Sequence, residues 1–553
     1  MTWLLPVPVI LPLLAAGLSL VLGRFRRAQL VVTVLALATS LGAAIAMAFE
    51  ADTAPMVLDV GSWAAPVGVS LVADRLTLMM LIVSLVVTVG VLVYSSSQSV
   101  SRDESSSPMP VYYPSYLVLS AGVSDAFLAG DLFNLYIGFE ILLAASFVLI
   151  TLGGTRSRVR SGTVYVVVSL FSSAVFLLGL AFTYAAVGTV NMAQLAVRLS
   201  ELAEPTRLML QATFLVAFGI KAAIFPLSAW LPDSYPTAPA PVTAVFAGLL
   251  TKVGVYAIIR TQFLLFPGGG WDTVLAVLGI FTMIVGILGA IAQDDIKRMV
   301  SFTLVSHIGF MVWGISISSK EGLGAAIVYA AHHILVQTTL FLIVGLMQYL
   351  GGTTSLAKLG GLAGKSPLLA GMFLIVAFNL VGIPPLTGFL GKVGLARASV
   401  LDGTGRGWAL LAAGLIASLL TLYVVVKAWS MAFWQPAEGE ASTSAEAPVI
   451  PKLPRAMVAA TAGLLLVQVG MAGGMNVIYG YALRAASDLV DRTPYISAVL
   501  GHDGRGSGAS SKVVRRSDFS VVPPLNEQPS KAPELWRLNE PQDGERVRVG
   551  EAE

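Results

Sequence analysis

The stretch FGIKAAIFPLSAWLPDSYPTAPAPVTAVFAGLLTKVG, residues 218–254, decides how this chain is read. It is strongly apolar, yet it carries two lysines, Lys221 and Lys252, with five prolines between them. A charge at bilayer depth costs about 3 kcal/mol or more, and a proline inside a helix costs about as much again. A segment that carries both needs a partner for the charge, a water path, or a task.

The surrounding chain sets that segment in a membrane. Of 553 residues, 56% are hydrophobic, and the mean hydropathy is +0.81. Charged residues are 12% of the total, about half the roughly 25% of soluble proteins. A span needs roughly 20 apolar residues. About fourteen such stretches occur, near 3–22, 30–49, 71–94, 112–130, 131–151, 161–187, 207–227, 238–265, 272–292, 299–318, 323–349, 367–391, 407–434 and 455–483. The expectation is an all-α polytopic membrane protein of about 14 transmembrane helices.

Other classes recede. A net charge of +3 does not suggest nucleic acid as a partner, and the absence of cysteine excludes disulfides and thiolate-ligated metals. No phosphate-binding glycine loop, metal cluster or catalytic serine arrangement is legible, so no metal and no cofactor are expected and no catalytic residue is assigned. The opening MTWLLPVPVILPLLAAGLSLVLGRFRR (1–27) has its positive cluster after the apolar core, unlike a signal peptide. It reads as a retained helix with an outer N-terminus. Odd-numbered loops carry Arg24, Arg26, Arg27, Arg156, Arg158, Arg160, Lys297 and Arg298, while even-numbered loops carry fewer, Arg198, Arg207 and Arg260 among them. That bias places the odd loops in the cytoplasm and the chain in the cell membrane.

An internal repeat is visible. AFTYAAVGTVNMAQLA (181–196) aligns with GLMQYLGGTTSLAKLG (345–360) at an offset of 164, which also relates Asp131 to Asp295. FPLSAWL (225–231) matches PPLTGFL (384–390) at an offset of 159. Helices four to eight thus recur as nine to thirteen. Five is an odd number, so the copies are inverted in the membrane, with helices seven and twelve broken at Pro226 and at Pro384 and Pro385. Inverted repeats with paired broken helices mark ion paths near the midplane. The expected organisation is residues 1–110 as three N-terminal helices, 111–266 and 267–434 as the two five-helix repeats, 435–500 as a loop and a last span, and 501–553 as a polar, disordered tail.

Few ionisable groups fall inside the spans, and each has a plain reading beside a functional one. Glu140 is either structural glue or a partner for a buried lysine. Lys221 lies five residues before Pro226, where proline frees backbone carbonyls; it either snorkels or exchanges its proton as Glu140 comes and goes. Lys252 lies about 14 residues into its span, near mid-depth, and either pairs with an unidentified acid or holds a place in a relay. His307 is a core histidine or a relay group that titrates near neutral pH. His332 and His333 point about 100° apart and do not share one face, whereas His333 and Gln337 do; His332 has the weaker claim. Lys392 follows the double proline and either snorkels or sits in the break. Asp74 and Arg75 sit at a helix start, where capping is the simple explanation.

The run WLPDSYPTAPAPVTAVFAGLLTKVGVYAIIR (230–260) resembles the proton-translocating family shared by complex I antiporter-like subunits and Mrp-type cation/proton antiporters. The resemblance covers about residues 70–435. It implies fourteen helices with two inverted five-helix repeats. It also implies that Glu140 pairs with Lys221, that Lys252 is the centre of a proton relay, that His307 and His333 continue it, and that Lys392 ends it. Several members read H-x-x-x-K-x-x-L-F in the eleventh helix; here the segment is HILVQTTLF (333–341), and Gln337 stands in the lysine place. The implied function is exchange of protons for sodium or another monovalent cation within a hetero-oligomeric Mrp-type complex. The alternative is a proton-pumping subunit of an NADH:quinone oxidoreductase or membrane-bound hydrogenase.

Overall fold

The computed structural model describes residues 1–97, 110–268, 270–436 and 452–501. The expected tail from 502 onward, and most of the expected 435–455 loop, lie outside the described residues. In chain order the first elements are α1 (Val7–Val21), α2 (Arg26–Ala51), β1 (Met56–Asp59), β2 (Ser70–Ala73) and α3 (Arg75–Ser97). There follow α4 (Tyr112–Leu128), α5 (Leu132–Thr151), α6 (Arg156–Val187), α7 (Met192–Arg198), α8 (Glu204–Ala222), α9 (Trp230–Ser234) and α10 (Ala240–Arg260). The second half holds α11 (Asp272–Ile291), α12 (Ile296–Ser316), α13 (Lys320–Gly351), α14 (Leu362–Lys365), α15 (Pro367–Val381), α16 (Thr387–Asp402) and α17 (Gly405–Trp429). The chain closes with α18 (Arg455–Gly473), α19 (Met475–Asp491) and α20 (Thr493–Leu500).

The helix boundaries have local causes. Asp131, Thr155, Asp295, Ser319, Ser366 and Thr404 each accept a hydrogen bond from a backbone N–H in the first turn of the helix that follows, satisfying a donor the helix leaves open. Gly188, Gly352, Gly382 and Gly403 close helices in the left-handed conformation, which glycine adopts without strain. Among the described residues, eleven helices are long and apolar enough to cross a membrane. The expected stretches at 112–130, 207–227 and 367–391 hold α4, α8 and α15, which do not meet that measure.

Two expectations are corrected. The chain is mostly helical but not all-α: β1 and β2 form an antiparallel hairpin with Met56 opposite Ala73 and Asp59 opposite Ser70. The last span is shorter than the stretch 455–483: α18 is long and apolar enough to cross a membrane, and it stops at Gly474 before α19 begins.

The bundle is layered by burial. Helix α10 is enclosed along its whole length, α13 along all but its ends and α12 nearly so, while α6, α17 and α18 turn much of their surface outward. The enclosed helices carry Lys252, His307, His332 and His333. Glycines bring their neighbours close. A Cβ at Gly122 of α4 would lie 2.5 Å from the Leu142 nitrogen of α5, and one at Gly286 of α11 would lie 2.5 Å from the Ser306 nitrogen of α12.

Both broken helices break in the same way. Helix α8 stops at Ala222, Ala223 is left-handed, and Ile224 N donates to Gly219 O. Helix α15 stops at Val381, Gly382 is left-handed, and Ile383 N donates to Phe378 O. Each position in the second break lies 159 residues beyond its counterpart in the first.

Gly122→Ala will force α4 and α5 apart and destabilise the protein by about 1–3 kcal/mol. Gly17→Ala, which meets nothing within 4 Å, will leave it unchanged. Thermal unfolding of the two variants side by side checks the contrast.

Candidate functional site

Lys221 ends α8 just before its break, 8% exposed. The unwound turn leaves its ammonium facing α6, where it donates to Ser169 O at 3.2 Å and Ser173 Oγ at 3.0 Å. It also lies over the Phe139 ring, 5.6 Å from the centroid. A cavity of about 10 Å³ beside it is lined by Ser169, Tyr165, Phe139 and Trp230, room for about one water. The expected Glu140–Lys221 pair is not in contact. Glu140 is half-buried on α5 with its Oε1 unpartnered.

Lys252 is fully buried in α10. Of its two readings, the pair with an acid finds no partner among the described residues; the ammonium donates to Ala247 O at 2.6 Å, about one turn back. Helices α8 and α10 meet at Gly254, where a Cβ would come within 2.7 Å of the Ala222 nitrogen. The first lysine's helix break therefore rests directly on the second lysine's helix.

Beyond Lys252 the polar line runs through rings. His307 of α12 and His333 of α13 stack with centroids 5.2 Å apart. His307 Nδ1 shares a hydrogen bond of 2.7 Å with Tyr329 Oη, and Tyr329 lies 5.4 Å from the His332 ring. His332 Nδ1 shares a 2.7 Å hydrogen bond with Thr387 Oγ1 at the second break, and Thr387 donates to Asn379 Oδ1 at 3.0 Å. Asn379 donates to Gln468 Oε1 at 3.1 Å. All four rings are fully buried, and both nitrogens of His333 and the Nε2 atoms of His307 and His332 have no protein partner. The line ends at Lys392 of α16, which donates to Val381 O at 2.7 Å, at the end of α15, and lies 4.7 Å over the Phe310 ring.

The supporting candidates divide. Gln337 donates to Val300 O at 2.8 Å and leaves its own oxygen unpartnered. His332 joins the line through Tyr329 and Thr387, although it shares no face with His333. Asp74 does cap α3, accepting from Thr77 N at 2.9 Å, but capping is the smaller part of its role. It also binds Arg260 through two hydrogen bonds of 2.6 and 2.9 Å. Arg260, a loop charge by the sequence reading, is 1% exposed inside the bundle. Pro226, Pro384 and Pro385 all fall in the two breaks.

Tyr329, Thr387, Asn379, Ser169 and Ser173 escape a reading that looks for charge. A signal did exist. Ser169 and Ser173 lie 164 residues before His333 and Gln337, the same offset that relates Asp131 to Asp295.

The fold, with its long apolar helices and with lysines and histidines set among them, is that of a multi-pass membrane protein. The chain belongs to the NADH:quinone oxidoreductase/Mrp antiporter transmembrane family, whose model matches residues 129–450. It is 39% identical over 501 residues to the Na(+)/H(+) antiporter D subunit of Alkalihalophilus pseudofirmus, covering 89% of this chain and 98% of that one. The protein of the same name in Bacillus subtilis is 36% identical over 446 residues, 80% of this chain and 88% of the relative. A chain of the Mrp complex from Dietzia sp. DQ12-45-1b superposes with a TM-score of 0.83 at 31% identity, covering 91% of this chain and all of that one. A chain of the membrane-bound sulfane sulfur reductase, an archaeal respiratory complex, shares the fold at 24% identity and a TM-score of 0.81.

Asp74→Ala will destabilise the protein by about 3–5 kcal/mol, because it leaves the Arg260 guanidinium buried without its counter-charge. The double variant Asp74→Ala/Arg260→Met will be less destabilised than Asp74→Ala alone. Thermal unfolding of the single and double variants checks the coupling.

Proposed function

We propose that this chain is the proton-translocating subunit of an Mrp-type complex that exchanges protons for sodium or another monovalent cation. Its partners are the other subunits of that complex, and its role is transport. The named relatives, antiporter subunits covered over most of their length, favour this over a redox-driven pump. The observation that carries the reading is the stack of His333, His307, Tyr329 and His332 between Lys252 and Lys392, buried and without an acid partner. Protons pass laterally along Glu140, Lys221, Lys252, His307, His333 and Lys392, with water completing the gaps. A buried ammonium is costly while it keeps its proton, so each group is biased by the charge on its neighbour.

The same reading takes fourteen spans, with 111–266 and 267–434 as two inverted five-helix units and the N-terminus outside. Equal-offset contacts support the repeat. Leu132 N donates to Val190 O, and Ile296 N to Thr354 O; Met192 N donates to Gly130 O, and Leu356 N to Asp294 O. Each second member lies 164 residues on, as do Gly286 and Ser306 from Gly122 and Leu142. For orientation, the burial of Arg260 removes one even-loop charge and sharpens the cytoplasmic bias of the odd loops.

The test is proton flux in everted vesicles carrying the whole complex, at several pH values, with sodium, potassium or lithium added. Glu140→Gln will abolish cation-dependent flux while the complex still assembles. Wild-type flux in that variant would make Glu140 structural and sink the valve at Lys221. In the same assay Tyr329→Phe will slow flux by about tenfold, equivalent to about 1.4 kcal/mol in one hydrogen bond.

A further inference from the structure

Outside the lysine–histidine line, one buried cluster has no task. Asp131 caps α5 through Oδ1, which accepts from Asn134 N at 2.7 Å. Its Oδ2 is buried with no partner. Asp125, near the end of α4, accepts from the Asn134 side-chain nitrogen at 3.1 Å. The two carboxylates therefore meet on one asparagine. Asn191, whose backbone bridges to Asp131, has an unpartnered Nδ2. Asp131 and Asn191 are 4% and 1% exposed.

The cations around this cluster are engaged elsewhere. Arg260 is bound to Asp74, and Arg492 donates to Ala196 O at 3.1 Å. Buried carboxylates without a counter-charge must bind a cation or take up protons. The other half of the molecule holds a closed version of the same corner. Asp295 caps α12 and bridges to Ser355 as Asp131 bridges to Asn191, but there Thr354 donates to its second oxygen. At the offset of 164, Val190 stands in place of that threonine, and Asp125 stands in place of Gly289. The first corner has lost a hydroxyl donor and gained a carboxylate.

We propose that Asp125 and Asp131 form a binding site for a monovalent alkali cation, with Asn134 orienting the carboxylates and Asn191 holding a water of the ion. The donors are all oxygens, which suits a hard cation. They are too few for the six to eight oxygens that calcium takes, and no imidazole or thiolate is present for a transition metal. The site lies apart from the proton line and goes beyond it. Only the choice of an alkali ion rests on the antiport reading.

Equilibrium binding of ²²Na⁺ to the purified complex, with no pH gradient, tests the site without engaging proton flux. Asp125→Asn will lower the sodium bound by one ion per complex, or weaken that ion's binding at least tenfold. Val190→Thr, which restores the hydroxyl that Thr354 supplies in the other half and keeps both charges, will weaken it several-fold; it decides the matter if Asp125→Asn does not assemble. Sodium binding at the wild-type level in Val190→Thr and in any Asp125→Asn complex that forms overturns the proposal, as does a wild-type complex that binds no sodium. Loss of flux in Glu140→Gln bears on the proton line alone, so the two readings fail separately.

Discussion

A lysine enclosed on all sides with no acid beside it constrains the rest of this structure. Lys252 lies in a helix buried along its whole length, and among the described residues its hydrogen-bond partner is a carbonyl of its own helix. Keeping an ammonium there costs several kcal/mol. Arg260, two turns further along the same helix, shows the ordinary solution: a carboxylate held by two hydrogen bonds. Lys252 has no such partner. The helices packed against α10 carry instead the imidazoles of His307 and His333, groups that exchange protons readily.

The breaks in α8 and between α15 and α16 follow from the same constraint. An intact helix satisfies its own carbonyls and offers a lysine nothing. An interrupted one frees carbonyls and aims side chains across the gap. Lys221 uses its break to reach Ser169 and Ser173, and Lys392 uses the other to reach Val381 O. Irregular backbone at this depth is tolerated only within protein or along water, and both breaks lie against enclosed helices. Between them, Tyr329 and Thr387 tie the imidazoles to the second break. The placing of these lysines and the packing of the helices thus draw on the same few residues.

Much of this was legible in the sequence. Apolar runs located the helices, because a span must bury about 20 residues whatever its neighbours do. Lys221, Lys252, His307, His333 and Lys392 stood out because charge within apolar sequence is rare. Less visible was whatever depends on a partner distant in the chain. Asp74 looked like a cap and Arg260 like a loop residue, since nothing local says that they meet across 186 positions. Tyr329, Thr387 and Asn379 are unremarkable polar residues until the fold sets them in line. The hairpin at 56–73 was hidden because Leu71, Val72 and Ala73 continue the apolar run of α3. Glu140 was read as a contact partner of Lys221, and the structure keeps them apart; a valve that opens and closes has both an open and a closed arrangement, and one sequence does not say which is populated.

The proposed transport requires Lys252 to carry a proton and not merely to fill space. The decisive measurement is cation-driven proton flux by the assembled complex with Lys252→Met, which keeps most of the volume and removes the titratable nitrogen. Flux is expected to fall to background while the complex assembles and its thermal stability is unchanged or rises. Flux at the wild-type level in that variant would contradict that requirement.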